Sequence, residues 1–249
     1  MSPSAAAPAS GSPPNGAVAG RTILYLHGGG YCLGSPLSHR ALVARLAQAA
    51  GAVALVPDYR MGPEDPFPAA VNDALAAYRQ LLDGGTDPAR LVIGGDSAGG
   101  GLTFATALAI KAAGLPQPAG LHAISPWANL TQTGAAYAAK ADSDPMITKA
   151  ALDEFAAAYL AAGKATNPLA SPVFGNLADL APVLIQVGGE ELLLTDATAI
   201  AERIALAGGD VTLRVWPEMI HVWHFFAPQL AAGRAATAEA GAWIAARTQ

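Results

Sequence analysis

Ser97 is the residue most clearly placed for chemistry, because it stands at the centre of a Gly-x-Ser-x-Gly pentapeptide at residues 95–99. An apolar run at residues 91–93 precedes the pentapeptide, and an apolar pattern typical of a helix follows from Leu102. A strand, a sharp turn and a helix in that order form the elbow that exposes a nucleophilic serine. Such a turn is strained and crowded, so its flanking positions need glycine. The pentapeptide therefore predicts a nucleophile at Ser97.

A second glycine-rich motif, His-Gly-Gly-Gly at residues 27–30, lies at the end of the first predicted strand. Consecutive glycines let backbone N–H groups point toward one centre without obstruction by side chains. Acyl transfer needs such donors where a carbonyl oxygen becomes negative. Alone, the motif is typical of an ordinary turn. Together with the serine elbow on a neighbouring strand, it predicts an oxyanion hole and indicates a serine hydrolase.

A serine nucleophile needs a base, and the chain has five histidines. We expect His27 to order the glycine turn, His39 to lie at the surface where a helix begins, and His122 to be packed inside an apolar strand. His221 and His224 follow the last predicted strand, which is where the order serine, acid, histidine places the base. We choose His221 and expect His224 to pack among aromatic side chains. A metal held by this last pair would lack an evident acidic third ligand.

The acid that orients the histidine is expected in the loop after the preceding strand. Glu190 and Glu191 are adjacent there, and Asp196 follows slightly later. One carboxylate must accept the Nδ1–H of the base and hold the reactive tautomer. Spacing alone does not separate Glu190 from Glu191.

The composition excludes several other classes of protein. The net charge of −5 disfavours nucleic acid or an anionic membrane as the main partner. Cys32 is the single cysteine, so a disulfide within the chain is impossible and a cytoplasmic location is expected. We predict a disordered tail at residues 1–20, which lack the pattern of a secretory signal, and we expect no membrane span in the chain.

Short apolar runs alternate with longer Ala- and Leu-rich runs along residues 21–249, which we interpret as one α/β domain. We predict strands at residues 22–27, 52–57, 91–94, 121–125, 183–188 and 211–216. We predict helices at about residues 37–50, 68–83, 98–113, 148–162, 196–207 and 229–246. Residues 126–180 interrupt the alternation with a helix but no convincing strand, which predicts a cap-like insertion over the site.

With these motifs in place, the chain resembles the bacterial hormone-sensitive-lipase family (family IV) of carboxylesterases. This resemblance implies the α/β-hydrolase fold, with a mostly parallel central sheet and helices on both of its faces. Four segments carry it: residues 27–31, residues 58–70, residues 95–100, and the acid loop followed by residues 220–222.

The resemblance also implies roles for individual residues, matched by position. Ser97 would be the nucleophile, His221 the base and Glu191 the acid, where the family more often has aspartate. The oxyanion would be held by the backbone amides of Gly29, Gly30 and Ala98.

Family members usually have more chain before the glycine motif, including part of the cap and two strands at the edge of the sheet. We therefore expect a shortened form with a reduced cap, and an apolar strand at residues 52–57 that lies open at the edge. The tail, a second subunit in a homodimer, or neither would cover this edge.

The expected activity is hydrolysis of short-chain acyl esters through an acyl-enzyme, without a metal or an organic cofactor. Three alternatives stay open. The same residues would serve an amide, carbamate or lactone hydrolase. The chain would alternatively be a truncated, inactive form, or a non-catalytic ligand-binding relative.

Overall fold

The computed structural model describes residues 18–249, so residues 1–17 of the predicted tail lie outside the described residues. All six strands run parallel in one sheet, in the order β2-β1-β3-β4-β5-β6. The strands are β1 (Thr22–Leu26), β2 (Val53–Leu55), β3 (Leu91–Asp96), β4 (Gly120–Ile124), β5 (Val183–Gly188) and β6 (Val211–Trp216).

Helices cover both faces of this sheet, which is the predicted architecture. They are α1 (Pro36–Ala50), α2 (Ala69–Asp83), α3 (Ala98–Ala112), α4 (Ala136–Ala139), α5 (Lys149–Leu160), α6 (Leu194–Leu206) and α7 (Ala231–Arg247). Helices α1 and α7 bury apolar side chains against one face, and α2, α3 and α6 bury theirs against the other. The strands β3, β4 and β5 are buried along their whole length, which explains their near-continuous apolar sequences.

The predicted boundaries agree with the observed ones within two residues for all six strands and all six predicted helices, whereas the short helix α4 was not predicted. The strand β2 forms only three residues because β1 is its single partner in the described sheet. Its side chains are exposed or half-buried, with Val53 at 43 % exposure, so within residues 18–249 this strand lies open at the edge, as predicted. Residues 126–180, which are described throughout, contain α4, α5 and a short 3₁₀ helix at Pro172–Phe174, and they contain no strand.

Because parallel strands end at the same edge of the sheet, the loops that follow them meet there. The glycine motif follows β1 and the serine elbow follows β3, while the acid loop follows β5 and the His221 loop follows β6. All of the predicted site residues are therefore brought to one edge.

Away from this edge, two buried histidines share one glutamine in the sheet. Nε2 of His122 lies 3.2 Å from Oε1 of Gln186, and Nε2 of His224 lies 3.1 Å from the same oxygen. Since an amide oxygen only accepts, both Nε2 atoms carry hydrogen. Burial lowers the pKa of His122 to about 4 and lowers the pKa of His224 well below its usual value.

These histidines predict a loss of stability in acid. Between pH 6.5 and about 4 the unfolded chain binds a proton at His122 and the folded chain does not, so the free energy of unfolding falls as the pH falls. We expect wild type to lose up to about 3 kcal/mol more than the His122→Gln variant over this range. Urea denaturation of both proteins at several pH values measures the difference, and parallel pH profiles would contradict it.

Candidate active site

Ser97 lies in the sharp turn between β3 and α3, with φ 54° and ψ −121°. This conformation is unfavourable for a residue with a Cβ atom, and neighbouring strands hold it in place. The Ser97 N–H donates to the carbonyl of Ile124 at 2.9 Å. A Cβ at Gly95 or Gly99 would collide with the carbonyl of Leu26, which is the crowding that the motif predicts.

His221, in the loop after β6, lies beside this serine. Its Nε2 is 3.0 Å from Oγ of Ser97, and its Nδ1 is 3.4 Å from Oε1 of Glu191. All three side chains are buried, with exposures of 5 % for His221, 8 % for Ser97 and 0 % for Glu191. The structure therefore brings together a hydroxyl, an imidazole and a carboxylate in the order that nucleophilic serine chemistry uses.

The structure also separates the two adjacent glutamates. Glu191 turns inward, where its Oε2 accepts hydrogen bonds from the Ser125 hydroxyl at 2.8 Å and the Gly188 amide at 2.9 Å. Glu190 turns outward and pairs with Lys140 at 3.0 Å. The hydrogen bond from Lys140 lowers the pKa of Glu190. Of these two glutamates, only Glu191 has its carboxylate within hydrogen-bonding distance of His221.

Asp196, the third acid considered, has a different place. It is buried in the first turn of α6 and accepts hydrogen bonds from the amides of Ala128 and Asn129 and from the Tyr137 hydroxyl. Burial raises its pKa to about 8 despite these donors. Its contacts anchor the segment after β4 and do not include His221.

The surroundings of His221 favour its protonated form. Burial lowers the pKa of this histidine, but the hydrogen bond and the negative charge of Glu191 more than offset burial, so the pKa is raised above its usual value. An imidazole in this environment is a stronger base toward the hydroxyl of Ser97. A carboxylate in this position also stabilises an imidazolium whenever the ring takes up a proton.

The predicted oxyanion donors line the same centre. Gly29 and Gly30 have φ values of 120° and 62°, and a Cβ at Gly30 would lie 2.6 Å from the ring of Phe155. Within residues 18–249, neither of these two amides has a hydrogen-bond acceptor in the protein. Ala98 is the first residue of α3, so its N–H is among those that a helix leaves without an internal partner. Donors of this kind suit an anionic oxygen.

A cleft of about 220 Å³ opens over Ser97 and His221. It is small and largely apolar, and the predicted cap-like segment at residues 126–180 forms one of its walls. The apolar side chains of this lining are Leu33, Met146, Ile147, Leu152, Phe155, Val222 and Phe225.

His39 also lines this cleft, and its predicted surface position is wrong. It is 5 % exposed, because the first turn of α1 lies over the end of the sheet, and its Nε2 is 3.3 Å from Oδ2 of Asp96. Burial lowers the pKa of His39, but the hydrogen bond and charge of Asp96 leave it raised. Helical spacing could have revealed this burial, since His39 shares one face of α1 with the buried residues Leu42, Val43 and Leu46.

His27 has the predicted contact with the glycine turn. Its Nδ1–H donates to the carbonyl of Gly28 at 2.9 Å. Its ring stacks on Tyr59 at 4.2 Å, and the Tyr59 hydroxyl donates to the carbonyl of His27 at 2.6 Å. The residues 58–60 segment thus braces the turn from behind.

Comparison with known proteins shows the family of this chain. A model of the alpha/beta hydrolase fold family matches residues 23–225. The chain is a member of this family, in its bacterial hormone-sensitive-lipase-like branch. An esterase from the bacterial hormone-sensitive lipase family, solved by crystallography, superposes with a TM-score of 0.93 at 45 % identity, covering 94 % of this chain and 79 % of that one.

Two curated relatives are named acetyl-hydrolases. An acetyl-hydrolase of Streptomyces hygroscopicus is 50 % identical over 225 residues, which are 90 % of this chain and 75 % of the relative. A putative acetyl-hydrolase of Mycobacterium tuberculosis is 40 % identical over 230 residues, covering 92 % of this chain and 74 % of the relative. No helix within residues 18–249 is long and apolar enough to cross a membrane.

Proposed function

We propose that this chain is a serine carboxylesterase that hydrolyses short-chain acyl esters through an acyl-enzyme intermediate. The observation that carries the proposal is the 3.0 Å distance between Oγ of Ser97 and Nε2 of His221, beside the amides of Gly29 and Gly30. The family and the names of its members support ester hydrolysis, so the chain is a carboxylic ester hydrolase. The preference for short acyl groups and the covalent intermediate are our proposals beyond ester hydrolysis itself.

Acylation begins when His221 removes the hydroxyl proton of Ser97. Oγ then forms a bond to the carbonyl carbon of the ester, and the carbonyl oxygen takes the negative charge. The amides of Gly29, Gly30 and Ala98 donate to this oxygen. The resulting imidazolium returns its proton to the alcohol oxygen as the bond between carbon and that oxygen breaks, and the alcohol leaves.

Deacylation repeats these steps with water as the nucleophile. His221 removes a proton from water, and the hydroxide attacks the acyl carbon while the same amides hold the oxyanion. The bond to Oγ of Ser97 then breaks, and Oγ takes the proton from the imidazolium. Glu191 keeps its charge throughout, holding Nδ1–H of His221 and stabilising the imidazolium.

A substrate panel combined with covalent labelling tests this proposal. We expect rapid turnover of p-nitrophenyl acetate and butyrate, and stoichiometric labelling of wild type by a fluorophosphonate. A matched anilide and a lactone, measured with the same enzyme, separate an esterase from an amidase or a lactonase. Absence of both turnover and labelling in a folded protein would support a non-catalytic or inactive form instead.

The size of the cleft predicts a preference for short acyl chains. Its volume of about 220 Å³ is below the range of roughly 300–1,000 Å³ typical of pockets for drug-sized ligands. We expect kcat/KM to be highest from acetyl to about hexanoyl, and to fall at least about tenfold for the dodecanoyl ester. A series of p-nitrophenyl esters below their solubility limits measures this, and equal values for all lengths would contradict it.

Four further expectations from the sequence stay proposals. The segment at residues 126–180 acts as the cap over the cleft. The exposed edge at β2 is a candidate contact in a homodimer. We also propose that the enzyme works in the cytoplasm and needs no metal or organic cofactor.

A further inference from the structure

A second histidine–carboxylate pair lies next to the proposed catalytic residues, and the mechanism above does not use it. His39 comes from the first turn of α1 and is 5 % exposed. Its Nε2 lies 3.3 Å from Oδ2 of Asp96, which is itself 1 % exposed. Both side chains line the cleft that contains Ser97 and His221. Burial of this pair beside the proposed catalytic residues indicates a role in the reaction.

The position of Asp96 connects the two halves of the proposed machinery. It directly precedes Ser97 in the chain, and its Oδ1 accepts from the backbone amide of Gly28 at 3.2 Å. Gly28 in turn directly precedes Gly29, whose amide is a proposed oxyanion donor. The Tyr25 hydroxyl also donates to Oδ1, at 2.9 Å. One carboxylate therefore joins the serine elbow to the oxyanion turn.

The hydrogen on His39 is assigned from its neighbours. If Nε2 carried no hydrogen, its lone pair would face the buried Asp96 carboxylate at 3.3 Å, which is repulsive. Nε2–H therefore donates to Oδ2. The amide of Gly28 lies 3.2 Å from this nitrogen as well as 3.2 Å from Oδ1, so both donors converge on the carboxylate.

The surroundings of His39 hold its ring in one orientation. Its Nδ1 is 2.9 Å from Oγ of Ser38, which forms a capping box with Ser35 at the start of α1. The ring of Phe225 packs edge-on at 5.2 Å. On the other side, a Cβ at Gly28 would collide with Oδ2 of Asp96, so the oxyanion turn is pressed directly against the carboxylate. The carboxylate and the turn are therefore in direct contact, through packing and through the Gly28 amide.

We propose that His39 is a positioning residue for the oxyanion hole. By donating to Asp96, it holds the carboxylate that binds the Gly28 amide, and thereby sets the amides of Gly29 and Gly30 relative to Ser97. This inference rests on the proposed function. His39 does not touch the reacting atoms in this arrangement, and its effect reaches them only through the carboxylate and the turn.

Removal of the Nε2–H of His39 should weaken the stabilisation of the transition state and change substrate binding little. The oxyanion is fully charged only in the tetrahedral state, so misplaced donors lower kcat more than they raise KM. Loss of one oxyanion donor costs about 10²–10³-fold in kcat, and displacement of a donor costs less. We therefore expect about a 10- to 100-fold decrease in kcat when the Nε2–H of His39 is removed.

Two amide variants form a matched test. The terminal amide of His39→Gln reaches the place of Nε2, whereas that of His39→Asn reaches only the place of Nδ1. We expect His39→Asn to lose about 10- to 100-fold in kcat on p-nitrophenyl butyrate, with KM within about threefold, and His39→Gln to stay within about threefold of wild type. A trifluoromethyl ketone, which forms a tetrahedral oxyanion on serine, should bind His39→Asn more weakly by the same factor as the fall in kcat/KM.

Several results would overturn the inference. They are an unchanged kcat in His39→Asn, an equal loss in the Asn and Gln variants, or a rise in KM without a change in affinity for the ketone. If His39→Asn does not fold, Asp96→Asn decides, because it replaces an acceptor oxygen by a donor. It should show the same fall in kcat at nearly constant KM, and full activity would overturn the inference.

Wild type and Ser97→Ala in the same assay separate this inference from the proposed function. An inactive wild type, or an active Ser97→Ala, would defeat the proposed function itself. An active wild type that depends on Ser97 but not on His39 would defeat only the positioning role.

Discussion

Replacing Ser97 with alanine should abolish ester hydrolysis almost completely, with kcat lower by about 10⁴- to 10⁶-fold. The substitution removes the oxygen that lies 3.0 Å from Nε2 of His221 and would form the acyl-enzyme. It keeps the Cβ that already fits the turn at φ 54°, so the elbow itself should be preserved. Initial rates on p-nitrophenyl butyrate and labelling by a fluorophosphonate measure the loss.

The thermal midpoint of Ser97→Ala provides the folding control. A folded variant with neither turnover nor labelling supports Ser97 as the nucleophile. A folded variant that retains more than about one hundredth of wild-type kcat would place the nucleophile elsewhere.

The second large effect on kcat is expected for Glu191→Gln, and it should distinguish Glu191 from the neighbouring Glu190. Glu191→Gln removes the charge that lies 3.4 Å from Nδ1 of His221, and we expect kcat to fall by about 10⁴-fold. Glu190→Gln is the matched control, because it removes the charge of the outward carboxylate that pairs with Lys140 and leaves the contacts of His221 intact. We expect that control to stay within about threefold of wild type. A collapse of kcat in Glu190→Gln alone would show that the acid is wrongly assigned.

The pH dependence of kcat/KM is a second measurement that distinguishes Glu191→Gln from Glu190→Gln. His221 must be neutral to accept a proton, so the acid limb of kcat/KM reports its pKa in the free enzyme. Glu191 holds this pKa above its usual value against the opposite effect of burial. Without the charge, burial dominates, and the acid limb of Glu191→Gln should move to lower pH. The limb of Glu190→Gln should not move.

Much of the fold and part of the site were predictable because they depend on short-range patterns. Alternating apolar runs and helical periods predicted the parallel sheet and placed the ends of all six strands within about two residues. The short helix α4 was missed, since four residues are too few to show a helical period. The serine elbow was also predictable, because glycine at residues 95 and 99 is a local steric requirement.

Other predictions failed or stayed open because they depend on the burial of single side chains. His39 was expected at the surface, since the start of a helix is often exposed, yet this turn of α1 lies over the sheet end and buries the ring. Ser125 was not identified at all. Its hydroxyl donates to Glu191 across 66 residues of chain, and its Oγ accepts from the Val222 amide at 3.1 Å. No local pattern marks such a contact.

By itself, the sequence determined the parallel α/β architecture, the sharp turn at Ser97 and the glycine turn that faces it, because steric limits and apolar periods act between near neighbours in the chain. Spacing left Glu190 and Glu191 open, and the family resemblance implied Glu191. Only the tertiary structure placed Glu191 rather than Glu190 beside His221, and brought Asp96 and His39 together at the turn. Adjacent glutamates have the same intrinsic chemistry. Their difference arises from which side chain the folded loop turns into the buried interior, where Glu191 contacts Ser125, Gly188 and His221.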